Sequence, residues 1–160
     1  MRKPILYVLV GLPASGKTTF TEDFCRRYDG VVGISRDDIR FSVLKEGEDY
    51  FSHEYEVFSK FTDIITQLLS DHFDVIADAT HLNEKSRNKL LSAIDTVDYD
   101  IIYVYFNTPV TECCYRNSLR EGRRKVPEEV IMDMNRALTI PTMKENRRCI
   151  GVIEWKGITE

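Results

Sequence analysis

No stretch of this chain approaches the ~20 consecutive apolar residues that a membrane-spanning helix requires. The N-terminal Met1-Arg2-Lys3-Pro4 leads into a short apolar run that closes on Gly11 without the small-residue cleavage site of a signal peptide. A first strand is the expected reading of that run. The four cysteines, Cys25, Cys113, Cys114 and Cys149, include no Cys-x-x-Cys pair, and two of them are adjacent. A disulfide framework is therefore not expected, and a reduced, cytoplasmic setting is. No repeat, low-complexity tract or Pro/Gly/Ser linker divides the 160 residues, so a single domain spanning 1–160 is expected. The net charge of −4 argues against wrapping long nucleic acid by bulk electrostatics. An Asn-Lys-x-Asp guanine signature and an Asp-x-x-Gly switch are both missing, which argues against a GTPase.

What is present is a regular alternation. Strand-like apolar runs occur at Ile5–Val10, Val31–Ile34, Val75–Ala77, Ile101–Phe106 and Ile150–Ile153. Helical spacing separates them, at Thr18–Tyr28, Glu84–Ile94 and Val110–Leu119, and most clearly in Val57, Phe58, Phe61, Ile64, Ile65, Leu68 and Leu69. Strands apolar on both faces, alternating with helices, predict an α/β fold with a parallel sheet covered on both sides. Ligands in such sheets bind beyond the carboxyl ends of the strands. The polar stretches Gly11–Thr19, Ser35–Arg40 and Asp78–Asn83 fall there.

Gly11-Leu12-Pro13-Ala14-Ser15-Gly16-Lys17-Thr18 matches the Walker A pattern G-x-x-x-x-G-K-[ST] in full, after a strand and before a helix. Glycines let the backbone curl so that N–H groups point at phosphate oxygens, and the helix N-terminus adds partial positive charge. Lys17 is placed to reach the β- and γ-phosphates of a nucleoside triphosphate, and the Thr18 hydroxyl to ligate Mg²⁺. Gly11, Pro13, Ala14, Ser15, Gly16, Lys17, Thr18 and Thr19 are thus the expected phosphate-binding set.

At the second strand end, Asp37 or Asp38 could accept the proton of an acceptor hydroxyl. Arg40, three residues after Asp37, shares its helix face and could hold an anionic group of the acceptor. Asp37 could equally cap the next helix, with Asp38 complementing its dipole. The two roles are compatible. Asp78 closes the third apolar run, where a carboxylate can hold Mg²⁺ through water or fix an acceptor-binding arginine. Asn83 is the better helix cap, and His81 reads as a loop contact. From Arg116 to Lys125 five cationic residues face only Glu121. Arg116 and Arg120 lie four apart on one helix face. Such a segment, continued by a helix after Val126-Pro127, suits a mobile lid over approximately 116–138 that neutralises the triphosphate.

These four segments, in this order, resemble the kinase module of phage-type 5′-polynucleotide kinases and the broader group of small P-loop kinases around them. Arg36-Asp37-Asp38-Ile39-Arg40 and Arg116-Asn117-Ser118-Leu119-Arg120 carry the resemblance furthest. It implies a P-loop kinase fold with five parallel strands and a helical lid. It also implies Asp37 as general base, Lys17 and Arg120 as catalytic cations, Arg40, Asp78 and Asp38 on the acceptor side, and Arg116 beside the donor. Asp78 would support Arg40 or the acceptor. ATP, Mg²⁺ and an RNA or DNA 5′-end are the implied partners. Three departures stand out: Ala14 in place of a usual glycine, Asp78-Ala79-Thr80-His81, which is closer to the broader group, and Gly122, one position late. The Asp-x-Asp-Gly-Thr segment of the 3′-phosphatase that many relatives carry is missing from these residues.

The expected activity is therefore transfer of the γ-phosphoryl group of ATP to the 5′-hydroxyl of a polynucleotide or nucleoside 3′-phosphate. Kinases of a small alcohol (a nucleoside, sugar or antibiotic) would keep the donor residues and change only the acceptor. An ATPase or NTP-binding module without transfer would need no carboxylate on the acceptor side.

Overall fold

A computed structural model describes residues 2–156. Five strands, β1 (Ile5–Val10), β2 (Val31–Ser35), β3 (Asp74–Asp78), β4 (Asp100–Phe106) and β5 (Cys149–Trp155), form one sheet in the order β2-β3-β1-β4-β5, with every pairing parallel. Six helices connect or flank them: α1 (Lys17–Arg27), α2 (Arg36–Val43), α3 (Glu54–Ser70), α4 (Glu84–Ser92), α5 (Val110–Ser118) and α6 (Glu128–Ala137). The expected fold class, a P-loop kinase α/β fold with helices on both sheet faces, is the observed one. β2, β3 and β5 run one or two residues beyond their apolar runs because they end in polar or aromatic residues that still pair. No helix among the described residues is long and apolar enough to cross a membrane. All four cysteines are free thiols.

The sheet separates two cores. On one face Leu6, Val8 and Val10 of β1 pack with Phe61, Ile65 and Leu69 of α3 and with Leu90 and Leu91 of α4. The fully buried Val57, Phe61, Ile65 and Leu69 recur every fourth residue, so α3 lays one narrow stripe on the sheet while Ile64 faces outward. On the other face Leu9, Ile76, Val104 and Phe106 receive Phe20 of α1, with Phe24 and Trp155 around them. A close approach fixes α1 against β2: a Cβ at Gly33 would lie 2.3 Å from Thr21 Cγ2. A third, smaller cluster of Leu12, Cys113 and Ile131 joins the phosphate loop to α5 and α6.

One buried cation organises the far side of α4. Arg87 is wholly buried and donates to Glu145 at 2.8 and 2.9 Å, to the carbonyls of His81 and Thr139, and to the Thr139 hydroxyl. Every donor of the guanidinium thus has a partner, the condition under which a charge is tolerated in a core. The chain leaving α6 is also pinned by Thr139 N–H donating to Leu82 O at 2.8 Å.

Candidate active site

Gly11–Thr18 connects β1 to α1 as the strand–loop–helix pattern requires. Gly11 N–H donates to Thr80 O at 3.0 Å, and Thr108 Oγ1 donates to Ser15 O at 2.8 Å, so the loop is tied to the ends of both neighbouring strands. A Cβ at Gly11 would meet Ser15 Oγ at 2.7 Å and Phe106 Cβ at 2.9 Å. Gly16 adopts φ 106°, where only glycine is at ease, and Ala14 adopts φ 63°. The left-handed region costs a non-glycine residue on the order of 1–2 kcal/mol, so Ala14 carries backbone strain. No side chain caps α1, and its first turn holds no carboxylate. The N–H groups at this helix end therefore remain available to an anion.

Lys17 is buried, and its ammonium donates to Gly11 O at 3.0 Å, Leu12 O at 2.6 Å and Ser15 Oγ at 3.4 Å. Burial lowers its pKa to about 8, against the pull of nearby Asp78. Thr18 Oγ1 donates to Asp78 Oδ2 at 3.1 Å. Burial raises the pKa of Asp78, with Lys17 and the Thr18 hydrogen bond opposing. The sequence leaves Asp78 either to hold Mg²⁺ through water or to support Arg40 or the acceptor. It is bound to Thr18, because β3 delivers it beside the phosphate loop. Thr18 and Asp78 together present hard oxygen donors of the kind Mg²⁺ takes when phosphates complete its shell. Among the described residues no group of three or more His, Cys, Asp or Glu could hold a metal by protein ligands alone.

The wall of the site facing the phosphate loop is built on α2. Ser35, not Asp37, caps this helix: its hydroxyl accepts from Asp38 N–H at 3.2 Å. Asp37 is thereby released from capping, and its half-exposed side chain accepts from Arg40 Nη1 through Oδ1. The Tyr50 phenol donates to the same oxygen at 2.5 Å while accepting from Arg40 Nη1 at 2.7 Å. Burial, then the Asp37 bond, push the Tyr50 pKa upward, so the phenol stays a donor. Arg40 also stacks on Tyr50, its Cζ 4.1 Å from the ring centroid, and donates Nε to Glu54 Oε1 at 2.9 Å. Glu54 receives Arg36 Nη2 at 3.0 Å on its other oxygen. Tyr50 and Glu54 escape a motif-based reading: one lies in the irregular segment after α2 and the other opens α3.

The lid segment holds α5, a 3₁₀ turn at Gly122–Arg124, and α6. Arg116 reaches the phosphate loop, with Nη1 3.4 Å from Ala14 O and 3.9 Å from the Cβ position of Gly16. Arg120 donates to Arg124 O at 3.4 Å. Buried Asn117 exchanges two hydrogen bonds with the backbone of Val126, at 2.6 and 3.0 Å. Asp38, placed on the acceptor side by the sequence, pairs across the cleft with Arg124 at 2.6 Å. Arg123 and Arg124 both lie over the Phe41 ring, at 5.0 and 5.1 Å. His81 is buried with Nδ1 donating to Leu9 O at 2.7 Å, and burial drops its pKa to about 4, so it is a neutral loop contact.

Phosphate loop, α2, β3 end and lid all line one cleft of 1520 Å³. Its lining includes every donor and acceptor residue named from the sequence except Gly11, which forms the loop floor. The volume exceeds the roughly 300–1,000 Å³ of a pocket for one small ligand. Cations outnumber carboxylates along the cleft although the chain is net negative.

The chain is similar to proteins with this architecture. L-seryl-tRNA(Sec) kinase of Methanococcus maripaludis is 27% identical over 142 residues, 88% of this chain and 54% of that protein. A chain in the structure of the Pnkp1/Rnl/Hen1 RNA repair complex is 27% identical with a TM-score of 0.74, over 86% of this chain and 45% of that one. The chain thus spans about half the length of these relatives. A sugar kinase from Janibacter sp. shares the fold at 16% identity, with a TM-score of 0.67 over 96% of this chain and 86% of that one. Residues 6–141 match the AAA_33 family, an AAA domain, and the chain belongs to that family.

Proposed function

We propose that the protein is an ATP-dependent kinase that phosphorylates the 5′-hydroxyl of a polynucleotide or nucleoside 3′-phosphate. The observation that carries this reading is Asp37. One of its oxygens is anchored by Arg40 and Tyr50, and the half-exposed side chain lines the same cleft as the phosphate loop. A carboxylate so held suits a general base on an acceptor hydroxyl; a module that only binds or hydrolyses triphosphate has no need of it.

In this mechanism the loop N–H groups and the α1 N-terminus receive the triphosphate. Lys17 exchanges the carbonyls of Gly11 and Leu12 for β- and γ-phosphate oxygens. Asp37 takes the proton as the acceptor oxygen forms its bond to the γ-phosphorus, the bond to the bridging β–γ oxygen breaks, and ADP leaves with that electron pair. Arg116 and Arg120 stabilise the charge developing on the donor. Thr18 and Asp78 would hold Mg²⁺, which when bound neutralises phosphate charge.

The acceptor class rests on two supports. Two similar proteins are, by name, a kinase of seryl-tRNA and a chain of an RNA repair complex. The acceptor wall also carries exposed Phe51, a face on which a base can stack. One observation favours a small-alcohol kinase as the second reading: every guanidinium nitrogen of Arg40 is engaged by Asp37, Tyr50 or Glu54. On that reading Arg40 aims Asp37 rather than gripping a phosphate. The test is γ-labelled ATP with 5′-hydroxyl oligonucleotides, nucleoside 3′-monophosphates, nucleosides and sugars. Label on the first two classes is expected; label on nucleosides or sugars alone would replace the polynucleotide with a small alcohol. Asp37→Ala should abolish transfer while ATP affinity persists.

A further inference from the structure

With Arg40 saturated, the phosphates of a polynucleotide acceptor need other cations. The wall formed by α2, α3 and α4 supplies them. Lys89 Nζ lies 4.8 Å from the centroid of the Phe58 ring, and Arg36 Cζ lies 5.4 Å from the same centroid. Lys89 has no carboxylate within ion-pair distance among the described residues. Arg36 spends Nη2 on Glu54 and leaves its buried Nε without a partner. All three side chains line the cleft. They connect to the general base through contacts already described: Asp37 to Arg40, Arg40 to Glu54, Glu54 to Arg36, and Arg36 to Phe58.

An unpaired lysine held near an arginine is electrostatically unfavourable unless something anionic visits it. Surface repulsion of this kind is ordinarily relieved by a neighbouring carboxylate, and here Glu54 serves the two arginines but not Lys89. The Phe58 ring attracts each of the two cations through its π-electron density, so both stay within 5.4 Å of one centroid. The result is a preformed pair of donors of the kind that tracks a nucleic-acid backbone.

We propose that Lys89 and Arg36, organised by Phe58, form a subsite for an internucleotide phosphate of the acceptor, one that a mononucleotide does not fill. The proposal rests on the polynucleotide reading above. It makes this enzyme prefer oligonucleotides to nucleoside 3′-monophosphates, with α4 measuring acceptor length.

Steady-state kinetics with a 5′-hydroxyl trinucleotide and a nucleoside 3′-monophosphate test it. Lys89→Gln should raise KM for the trinucleotide about tenfold, the scale of one lost phosphate contact. KM for ATP and for the mononucleotide should stay unchanged, and Lys89→Arg should restore the trinucleotide value. The slope of log KM against log salt for the trinucleotide should fall by about 1. An unchanged trinucleotide KM, or an equal rise for both acceptors, overturns the subsite and leaves the kinase reading standing. Failure of the wild-type protein to label any 5′-hydroxyl nucleotide overturns both.

Discussion

The Tyr50 phenol donates to Asp37 Oδ1 at 2.5 Å and accepts from Arg40 Nη1 at 2.7 Å, so one hydroxyl sits between the two acceptor-side charges. Tyr50→Phe deletes that link while keeping the ring on which Arg40 stacks. A hydrogen bond to a charged group is worth about 1.5–3 kcal/mol. Much of that aims Asp37, so kcat should fall about tenfold with KM for ATP unchanged. Equal losses in kcat and in ATP affinity would assign Tyr50 to general stability instead.

Lys17 is a proton-linked part of the donor site. Its pKa of about 8 in the nucleotide-free fold lies below the ordinary 10.5. Between these values the unfolded chain holds a proton that the folded chain lacks, so this group adds stability as pH rises through that window and loses it as pH falls back. Bound phosphates restore the charge. ATP binding should therefore take up close to one proton at pH 9, and affinity should fall about tenfold per pH unit above 8. Calorimetry in two buffers of different ionisation enthalpy reads the uptake. Lys17→Met should show none, and uptake identical in that variant would contradict the assignment.

The Asp38–Arg124 pair joins the acceptor helix to the lid, but both side chains are more than half exposed. Exposed pairs contribute about 0.2–1 kcal/mol. Asp38→Asn should raise KM for ATP no more than about fivefold at low salt. The difference should vanish near 1 M salt, where the Debye length is ~3 Å. A complete loss of transfer would instead return Asp38 to the acceptor role that its sequence position suggested.

Gly33 is a packing requirement. A methyl group there collides with Thr21 Cγ2, and overpacking of this kind costs about 1–3 kcal/mol. Gly33→Ala should lower the urea midpoint, and Thr21→Ser in the same chain should recover at least half of the loss. Absence of recovery would place the strain in the strand backbone.

What could be read in advance tracks how local the information is. Gly11–Thr18 is contiguous, so its pattern, its strand and its helix all lie in one window of sequence. Asp37 and Arg40 were legible as a pair for the same reason: three residues on a helix make neighbours. The central strands β1, β3 and β4 were legible because burial on both faces leaves unbroken apolar runs. Tyr50 and Glu54 were not, since the segment that folds them onto Arg40 has neither period nor motif. Arg87 reads as an ordinary charge on an amphipathic helix, and its burial depends on Glu145, 58 residues away. Asp78 was placed correctly at a strand end, but its partner was not legible. Whether a strand-end carboxylate meets Thr18 or Arg40 is decided by sheet order, with β3 lying between β1 and β2.

Asn117 closes residues 118–125 into a loop by gripping Val126 on both its N–H and its C=O. Arg120, Arg123, Arg124 and Lys125 are all carried within that loop. All four side chains line the cleft, so one closed loop gathers four positive charges on one wall. The chain beyond α6 is meanwhile moored at Thr139 by Arg87 and Leu82. The segment is thus fastened at both ends, by Asn117 before the loop and by Thr139 after α6. A change at Asn117 would open that loop and loosen the hold on all four charges at once.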